Sequence, residues 1–593
     1  MKKLLLLFVV MTILIPFKSS FPQTINDYIS EVRGDTLVIK DYSEMNNQPN
    51  SLKWVLLLDT NDVPAGRVYL LQAGRFYPNT YSPTSSSKHP TVIVGSDPTM
   101  IVNNKNVASS PPLICTDSSA VGPAIGINAG GDLTIKNCQL VNTTKNGNNG
   151  VLFTNTLASN LHLVYDNCLF EHTAHWFVWI RNYSNENVTF RNCYFVNMNG
   201  QPCRRDGGVF MSFYNQDTLL VENCTHVMAQ GSLYKFMIYP DNNPPFSPHD
   251  YQFKKIIFNH NTFVNCAGTV FMNPGYQSNV TLTSNIFINC NVQGFAPILG
   301  TLDIGEVDPD SLPMGLVNVY DSAEAPIKFY VDKNLIYNDP SLSDIDEILN
   351  TNEVNGVTNW KTQMITMNER TQLMFDNDTK YPYLIEGEWF ETLPNFTDPQ
   401  DLLTTQLTNL KAFALSTVDI TSTAVLPDWR IINTGPDKIV YPDWPIPVDL
   451  SYNDSELLTG GIGSFPIGDL NWFPVQKAAW LAQRDYEYEL LDQWLRTDIE
   501  KDNPSSLEFK LQQNYPNPFN PSTMISFTIP EAGYVTLKVY NTLGEEVATL
   551  LDGFKSAQSY EIKFDGTDLA NGVYLYSLEE GNNIITKKMI LLK

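Results

Sequence analysis

The first half of the chain repeats one short pattern of apolar and polar positions. The unit has eight positions, which are apolar, any, polar, Cys or Asn, any, usually apolar, any and usually Asn, as in IKNCQLVN. Alternating stretches bounded by Gly, Asn or Ser precede the copies, and this period of two predicts β-strands. Seven copies occur, at 135–142, 165–172, 190–197, 221–228, 258–265, 282–289 and 331–338.

The spacing of the copies predicts a solenoid. Successive copies begin 30, 25, 31, 37, 24 and 49 residues apart, so the interval has a floor near 24 residues and takes insertions above it. One coil of this length cannot bury its own apolar side chains, so coils must stack about one strand spacing apart, roughly 4.8 Å. Equivalent positions of the copies should therefore form columns.

The fourth position of the repeat gives the most distinctive column. Asn at an inward turn can bond to the backbone above and below it, and Cys can act there as a small buried apolar side chain. Disulfides or a metal site are the alternative, but the Cys residues are one coil apart and not in CxxC pairs, which favours stacked free thiols. The predicted column is Cys138, Cys168, Cys193, Cys224, Asn261, Asn285 and Asn334.

Residues 341–501 lose the repeat and are rich in Asp, Pro and aromatic residues. We expect this segment to pack on the last coils and to end in one helix over 475–501, where Ala478, Leu481, Tyr488, Leu491 and Leu495 share one side. The polar and Pro-containing stretch after it predicts a linker over 502–508.

The last 85 residues, 509–593, contain about seven short alternating strands, which predicts a small β-sandwich. The stretches NYPNPFNP, VYNTLG and LANGVYLY and the basic end KKMILLK closely resemble the type A C-terminal sorting domain of the bacterial type IX secretion system. The resemblance implies passage through the outer membrane by the type IX machinery, removal of the tail, and release or attachment at the cell surface. The motif residues are Asn514, Tyr515, Pro516, Asn517, Pro518, Phe519, Gly544, Gly572 and Tyr574.

The other end of the chain predicts a secretory signal peptide over 1–23. Lys2 and Lys3 precede an apolar run over 4–16 and a small polar stretch, with cleavage expected near residues 21–24. No later run reaches the roughly 18 apolar residues that a span requires, so no transmembrane segment is predicted after cleavage.

The charge of the chain is concentrated in one segment. The chain has 63 acidic and 38 basic residues and a net charge of -25, but residues 301–508 alone hold 36 acids and 12 bases. The repeat region is close to neutral. Because binding to nucleic-acid phosphates needs clustered Lys and Arg, this balance argues against a nucleic-acid binder.

The repeat region resembles the right-handed parallel β-helix of the pectate-lyase-like superfamily. Besides the repeat, AGRVYLLQAGRFY at 65–77 and TVIVGS at 91–96 are similar to the opening coils of that family. The resemblance covers about residues 50–340 and speaks to fold more than activity, since adhesins, hydrolases and lyases share the scaffold. The predicted fold is all-β: a right-handed parallel β-helix over 24–340, an irregular acidic segment with one helix, and a C-terminal Ig-like β-sandwich.

Two inserts between repeat copies carry candidate chemistry. Lyases on this scaffold need a base and commonly Ca²⁺ held by carboxylates, and its glycoside hydrolases need two nearby carboxylates. A solvated loop of ordinary ion pairs is the alternative. The basic candidates are Arg204, Arg205 and Lys254, and the candidate ligands for a Ca²⁺ cofactor are Asp206, Asp241 and Asp250.

Two functions stay open at this point. A secreted or cell-surface β-helix could bind or act on polysaccharide in the manner of a polyuronate lyase, with Trp176, Trp179, Tyr214 and His249 as sugar contacts. A non-catalytic, adhesive solenoid is the alternative, because no paired Asp or Asp-Gly-x-Asp element recurs at equivalent coil positions. His162, His172, His175 and His226 suggest a metal site, but His172 and His226 occupy different repeat positions and are expected to be structural.

Overall fold

A computed structural model shows how the repeats fold. It describes residues 24–60, 62–79, 88–96, 110–116, 125–144, 152–173, 176–180, 183–198, 208–212, 214–236, 253–272, 279–294, 312–319, 327–351, 360–416, 424–429, 433–434, 440–441, 445–494, 509–530, 533–555, 558–580 and 583–593. The predicted signal peptide and the 502–508 linker lie outside these ranges.

Three long sheets of 12, 10 and 6 described strands build the solenoid; the central coils contribute one strand to each sheet, and the first and last coils contribute strands only to the two larger sheets. Pairing within the sheets is parallel, except for the antiparallel first pair of sheet A. Sheet A contains Ile29–Arg33, Thr36–Ile39, Val68–Leu71, Thr91–Gly95, Leu133–Lys136, His162–Asp166, Asn187–Arg191, Gln216–Glu222, Phe253–Asn259, Asn279–Thr283, Lys328–Asp332 and Leu384–Glu386. Sheet B contains Phe76–Asn79, Leu113–Thr116, Gln139–Thr144, Leu169–Glu171, Tyr194–Met198, Thr225–Ala229, Thr262–Cys266, Ile286–Cys290, Asn334–Tyr337 and Trp389–Phe390. Sheet C contains Ile125–Ala129, Leu152–Thr156, Trp176–Ile180, Gly208–Ser212, Tyr234–Phe236 and Phe271–Met272.

The eight-residue repeat spans the corner between sheets A and B, and its polar positions are the turns. The third position has a left-handed backbone in all seven copies, with φ from 50° at Asn223 to 58° at Lys333. The eighth position is left-handed at His172, Asn197, Met228, Asn265 and Asn289. Asn tolerates this conformation better than most residues, which explains why it recurs at both turns.

The fourth position of the repeat forms one buried column. Each thiol of Cys168, Cys193 and Cys224 contacts the carbonyl of the first repeat position in the preceding coil, at 3.5 to 3.6 Å. Asn261, Asn285 and Asn334 donate to the equivalent carbonyls at 2.7 to 3.0 Å. The seven described cysteines are all free and buried.

Stacked rings fill the interior along sheet B. Neighbouring ring centroids lie 4.6 Å apart for Phe170 and Phe195, 4.5 Å for Phe195 and His226, 4.3 Å for His226 and Phe263, and 5.0 Å for Phe263 and Phe287. His226 is fully buried, and burial lowers its pKa well below the usual value. It serves as a core ring.

The acidic segment contains more helix than the pattern predicts. In the described chain the six helices are α1 Ser51–Leu58, α2 Ile345–Thr351, α3 Glu369–Phe375, α4 Thr405–Ser416, α5 Pro474–Leu481 and α6 Arg484–Trp494. Five of these lie in the segment for which we predicted one helix. The predicted helix over 475–501 is divided into α5 and α6, because the amides of Ala482 and Gln483 bond only three residues back and tighten the chain into a turn. Leu481, placed on the inner side by the pattern, is instead 51% exposed.

The same segment covers the outer face of sheet B. Its side chains, including Leu402, Leu410 and Trp429, pack on a row of apolar residues that runs from Leu169 to Leu335. The cover therefore begins near the second repeat copy, whereas we expected it on the last coils. Two of its strands, Leu384–Glu386 and Trp389–Phe390, also extend sheets A and B beyond the predicted boundary at residue 340.

The C-terminal residues form two antiparallel sheets packed as a small sandwich. One sheet contains Lys510–Leu511, Ser522–Ile529 and Gln558–Asp565, and the other contains Glu546–Lys555, Gly533–Tyr540, Gly572–Glu580 and Asn583–Leu591. Together with the parallel sheets of the solenoid, this confirms the predicted fold class. The two remaining small pairs are Phe396–Asp398 with Asp449–Tyr452, and Asn433–Thr434 with Val440–Tyr441.

Candidate functional site

Most of the candidate residues from the sequence lie outside the described ranges. These are Arg204, Arg205 and Asp206 in the first insert and Asp241, His249 and Asp250 in the second. Lys254 is described, and it is the second residue of the sheet A strand that follows the second insert. It belongs to a polar cluster whose other members are not among the residues predicted as catalytic or metal-binding.

The cluster lies at the corner where sheet C passes into sheet A, and we name it the corner cluster. Glu186, Asp217 and Lys254 each stand four residues before the first position of a repeat copy, so they are equivalent on three successive coils. Three aromatic residues of the same corner complete the cluster, and they are Trp179, Tyr183 and Tyr214.

Strand pairing holds the three charged positions one above another. The amide of Asp217 donates to the carbonyl of Glu186 at 3.0 Å. The pairs Gln216 with Phe253 and Thr218 with Lys255 flank Asp217 and place it beside Lys254. The Lys254 Nζ to Asp217 Oδ1 distance is 2.5 Å, and the Lys254 side chain is 70% exposed.

The buried Gln216 side chain links residues of the corner by hydrogen bonds. It is 1% exposed, and its Oε1 accepts a hydrogen bond from the Glu186 amide at 2.9 Å. Its Nε2 donates to the Tyr183 carbonyl at 3.1 Å and to Ser212 Oγ at 2.9 Å. The Ser212 hydroxyl in turn donates to the Tyr214 carbonyl at 3.1 Å. One amide side chain therefore joins both aromatic turns to the acidic position.

Glu186 is the unusual member of the corner cluster. Its side chain is fully buried, and among the described residues no donor makes a hydrogen bond of normal geometry to either carboxyl oxygen. Burial, with a smaller contribution from the negative charge of Asp217, raises the pKa of Glu186 to about 7, although its own amide and the Gln216 side chain act in the opposite direction. A carboxyl group in this setting is partly protonated near neutral pH, beside a second carboxylate that is paired with a lysine.

The aromatic members provide exposed rings beside this pair. Tyr214 is 41% exposed, and Trp179 is half-buried and packs against Trp176 and Met211 on the outer face of sheet C. Lys235 follows in register after Met211, is 1% exposed, and holds its Nζ 5.9 Å from the centroid of the Trp176 ring. The outer face of sheet C beside the corner cluster thus combines aromatic rings with a buried cation.

The corner cluster can do two things chemically. Exposed rings flanked by polar groups are suited to binding sugars by their apolar faces. A neutral carboxyl beside an ionised one is also the division of roles by which glycoside hydrolases combine an acid with a base or nucleophile. Lys254 fits the role of a proton-abstracting base poorly, because its ammonium group is bound by Asp217.

The sequence contains a signal for this cluster, and it lies just upstream of the eight repeat positions. Extending the alignment four residues upstream places Glu186, Asp217 and Lys254 in one column. Their burial and pairing then depend on the coil-to-coil register.

Histidines and carboxylates elsewhere do not form a metal centre in the described chain. Within those residues, no three His, Cys, Asp or Glu side chains come together as a cation site. His172 is buried with its Nε2 3.2 Å from Asp428 Oδ2, and that hydrogen bond and nearby Glu171 outweigh burial to raise its pKa. This contact therefore links the acidic segment to the second repeat copy. His162 is exposed and lies 3.4 Å from Asp132.

Two family models match separate parts of the chain. The family described as right handed beta helix region matches residues 123–302, and the family described as secretion system C-terminal sorting domain matches residues 513–592. No curated protein and no solved structure matches the chain. Within the described residues, helices of the length and apolar content that a bilayer crossing needs do not occur.

These matches confirm the resemblances drawn from the repeat and from the C-terminal motifs. The sorting domain marks proteins that the type IX secretion machinery exports to the cell surface or the extracellular space. The β-helix region is consistent with the pectate-lyase-like superfamily. The chain is therefore a right-handed parallel β-helix protein that carries a type IX C-terminal sorting domain and is exported through that system.

Proposed function

We propose that this protein binds a polysaccharide at the corner cluster and cleaves it there, with Glu186 as the acid and Asp217 as its carboxylate partner. Its export to the cell surface or beyond agrees with an extracellular polymer as ligand. The single observation that carries the proposal is the buried Glu186 carboxyl, which has no hydrogen bond of normal geometry among the described residues and lies one strand away from Asp217. The pair is of the hydrolase type, which we prefer to the lyase type that the sequence suggested.

The exposed rings support the binding part of the proposal. Tyr214 and Trp179 stand on neighbouring coils at the same corner, so a chain of sugars lying along the solenoid axis would meet both. The repeat region is nearly neutral in charge, so neutral and acidic polymers are both acceptable ligands. Ca²⁺ has no role in this proposal, and the three candidate ligands for it lie outside the described residues.

A non-catalytic, adhesive solenoid is the second candidate. The observation that favours it is the complete burial of Glu186, because a general acid must reach a glycosidic oxygen. In that case the corner cluster would bind sugars through Tyr214 and Trp179 alone.

One experiment tests both candidates on the full chain. Affinity electrophoresis against glucans, xylans, mannans and polyuronates, with and without Ca²⁺, measures binding, while new reducing ends and unsaturated products measure cleavage. We expect Tyr214→Ala to weaken binding about five- to tenfold, and Glu186→Gln and Asp217→Asn to lower the cleavage rate at least roughly a hundredfold with binding retained.

The matched control is Tyr534→Ala, which removes a ring that is 60% exposed on the sorting domain. It should leave binding and cleavage unchanged. Binding without any product would establish the adhesive function. Binding to none of the polymers in the panel would overturn both candidate functions. An unsaturated product would show that the protein is a lyase and not a hydrolase.

A further inference from the structure

One side chain of the sorting motif, Tyr515, is buried against the rest of the chain. It is 8% exposed and packs with Ile462 and with Leu490 of helix α6, which are 6% and 8% exposed, in the acidic segment. The Tyr515 and Tyr486 ring centroids lie 5.5 Å apart. The amide of Asn517 also donates to Gln483 Oε1 at 3.3 Å. We name the residues that receive Tyr515, namely Ile462, Gly463, Glu487 and Leu490, the tyrosine socket.

Some side chains of the motif segment are buried in the sandwich, and one is buried in the tyrosine socket. Asn514 and Phe519 are buried within the sandwich, where the Asn514 amide bonds to the Tyr576 hydroxyl at 2.7 Å and Phe519 joins the core. Among the described residues, Tyr515 is not part of that core, and its ring packs with the socket and with Tyr486. The sandwich therefore does not need the Tyr515 ring for its own packing.

The socket is shaped closely around the tyrosine. Gly463 has φ +70°, and a Cβ added to it would lie 1.9 Å from the Tyr515 hydroxyl oxygen. Only glycine combines that backbone conformation with room for the phenol. Gly463 belongs to the Gly-rich stretch 459–474, which shows no phosphate-binding pattern, and contact with Tyr515 explains the glycine at this one position.

Glu487 joins three parts of the molecule at the floor of the socket. Its Oε2 accepts hydrogen bonds from the Tyr515 hydroxyl at 3.2 Å and from Trp480 Nε1 at 2.8 Å. Its Oε1 accepts from Asn259 Nδ2 of sheet A at 2.8 Å. Glu487 is fully buried, so loss of Tyr515 would leave part of a buried carboxyl unsatisfied.

We propose that the tyrosine socket acts as a latch. Tyr515 holds the sorting domain against the acidic segment, and this contact covers one side of the Asn514–Phe519 motif. In the latched state that side of the motif is unavailable to the export machinery, and release of Tyr515 from the socket exposes it. The occupant is this chain's own sorting domain, because the buried contacts of Tyr515 are with residues of the same chain.

Hydrogen exchange followed by mass spectrometry on the full chain tests the latch. Tyr515→Ala should raise the exchange rates of α6 and of the motif segment by about tenfold or more, because both lose their cover. Exchange in the sandwich strands Gly533–Tyr540 and Gly572–Glu580 should stay as in the unaltered chain. Tyr534→Ala is the control, since it removes a ring of the same domain far from the socket.

Gly463→Leu provides the second variant, because its side chain fills the socket while the sequence of the sorting domain stays unchanged. It should raise exchange in the motif segment as Tyr515→Ala does, and small-angle scattering should show a larger radius of gyration for both variants. Unchanged exchange in the motif segment of both variants would refute the latch. Protection that depends on protein concentration would refute it as well, since the socket would then be filled by a second copy.

Discussion

Glu186 shows how the meaning of a residue in this chain depends on its offset within the repeat. Four residues upstream of the first repeat position, the chain leaves sheet C and enters sheet A. Leu161 occupies this offset on one coil and is buried in the core, while Glu186 occupies it on the next. Burial raises the pKa of a carboxyl group at an apolar position and lowers the stability of the fold. Groups of this kind cluster at functional sites.

The raised pKa of Glu186 predicts a pH dependence of stability. The folded chain holds this proton up to about pH 7, and the ordinary value is 4.5, so the folded state binds the proton more tightly between these values. The contribution of this group therefore falls as pH rises from about 4.5 to 7, by about 1 to 3 kcal/mol. Urea denaturation of Glu186→Gln across this range should show a correspondingly weaker loss of stability than the unaltered chain.

Two other buried acids contribute to the same slope and do not change in this variant. Burial also raises the pKa of Glu487 to about 7 and that of Asp469 to about 6. The comparison must therefore be made between variants. Glu456→Gln, at an exposed position, is the control and should keep the original slope. An identical slope for Glu186→Gln and Glu456→Gln would contradict a buried ionisable Glu186.

At the scale of elements, the column at the fourth repeat position changes character along the solenoid. Its first four members are thiols with weak contacts to the preceding coil, and its last three are amides with full hydrogen bonds. Asn285 donates to Asn334 Oδ1 at 2.9 Å, and its own Oδ1 accepts from the Asn261 amide at 3.0 Å and Asn261 Nδ2 at 2.9 Å. The amide half of the column is therefore a continuous chain of hydrogen bonds between coils.

This difference predicts unequal costs of substitution within one column. Asn285→Ala removes these bonds and leaves buried partners on both neighbouring coils unsatisfied, so the free energy of unfolding should fall by about 2 to 4 kcal/mol. Cys193→Ala removes a small buried group with weak contacts and should cost about 1 kcal/mol. Chemical denaturation of the two variants measures both values, and equal losses would show that the amide chain adds nothing to packing.

At the scale of the whole molecule, the acidic segment serves as a second layer over the solenoid. Sheet B has apolar side chains on both faces, and the outer row needs a cover. The segment supplies that cover with apolar residues, and among its described acids only Asp469 and Glu487 are buried, so most of its described charge stays outside the core. Trp429 is the central anchor, 1% exposed, with its amide bonded to Asn197 Oδ1 at 2.7 Å and its Nε1 to Asp401 at 3.0 Å.

Removal of this anchor should loosen the whole layer. Trp429→Ala leaves a large cavity and should lower the free energy of unfolding by about 3 to 5 kcal/mol. Hydrogen exchange should then rise along Thr225–Ala229 and Thr262–Cys266, whose outer faces the layer protects. Trp54→Ala, at a residue that is 37% exposed on α1, is the control and should cost about 1 kcal/mol or less. A smaller loss for Trp429→Ala than for Trp54→Ala would show that the layer is not held by this anchor.

Features that depend on local and periodic chemistry follow from the order of residues alone. Left-handed turns select Asn at two repeat positions, stacking aligns equivalent positions, and the C-terminal motifs are contiguous. The solenoid, its columns and the sorting domain could therefore be predicted from the printed residues. The candidate site could be predicted only in part, because Lys254 was singled out and Glu186 and Asp217 were not.

Contacts between residues that are distant in sequence depend on the folded chain and could not be predicted. The acidic segment has no period, so nothing local indicates that Trp429 reaches Asn197 or that Asp469 reaches Thr225. In the same way, Glu487 and Tyr515 are ordinary residues of a helix and a motif until packing brings them together with Asn259. Burial also decided the protonation of Glu186 and Glu487, because a pKa depends on the surroundings that the fold supplies and not on the residue type alone.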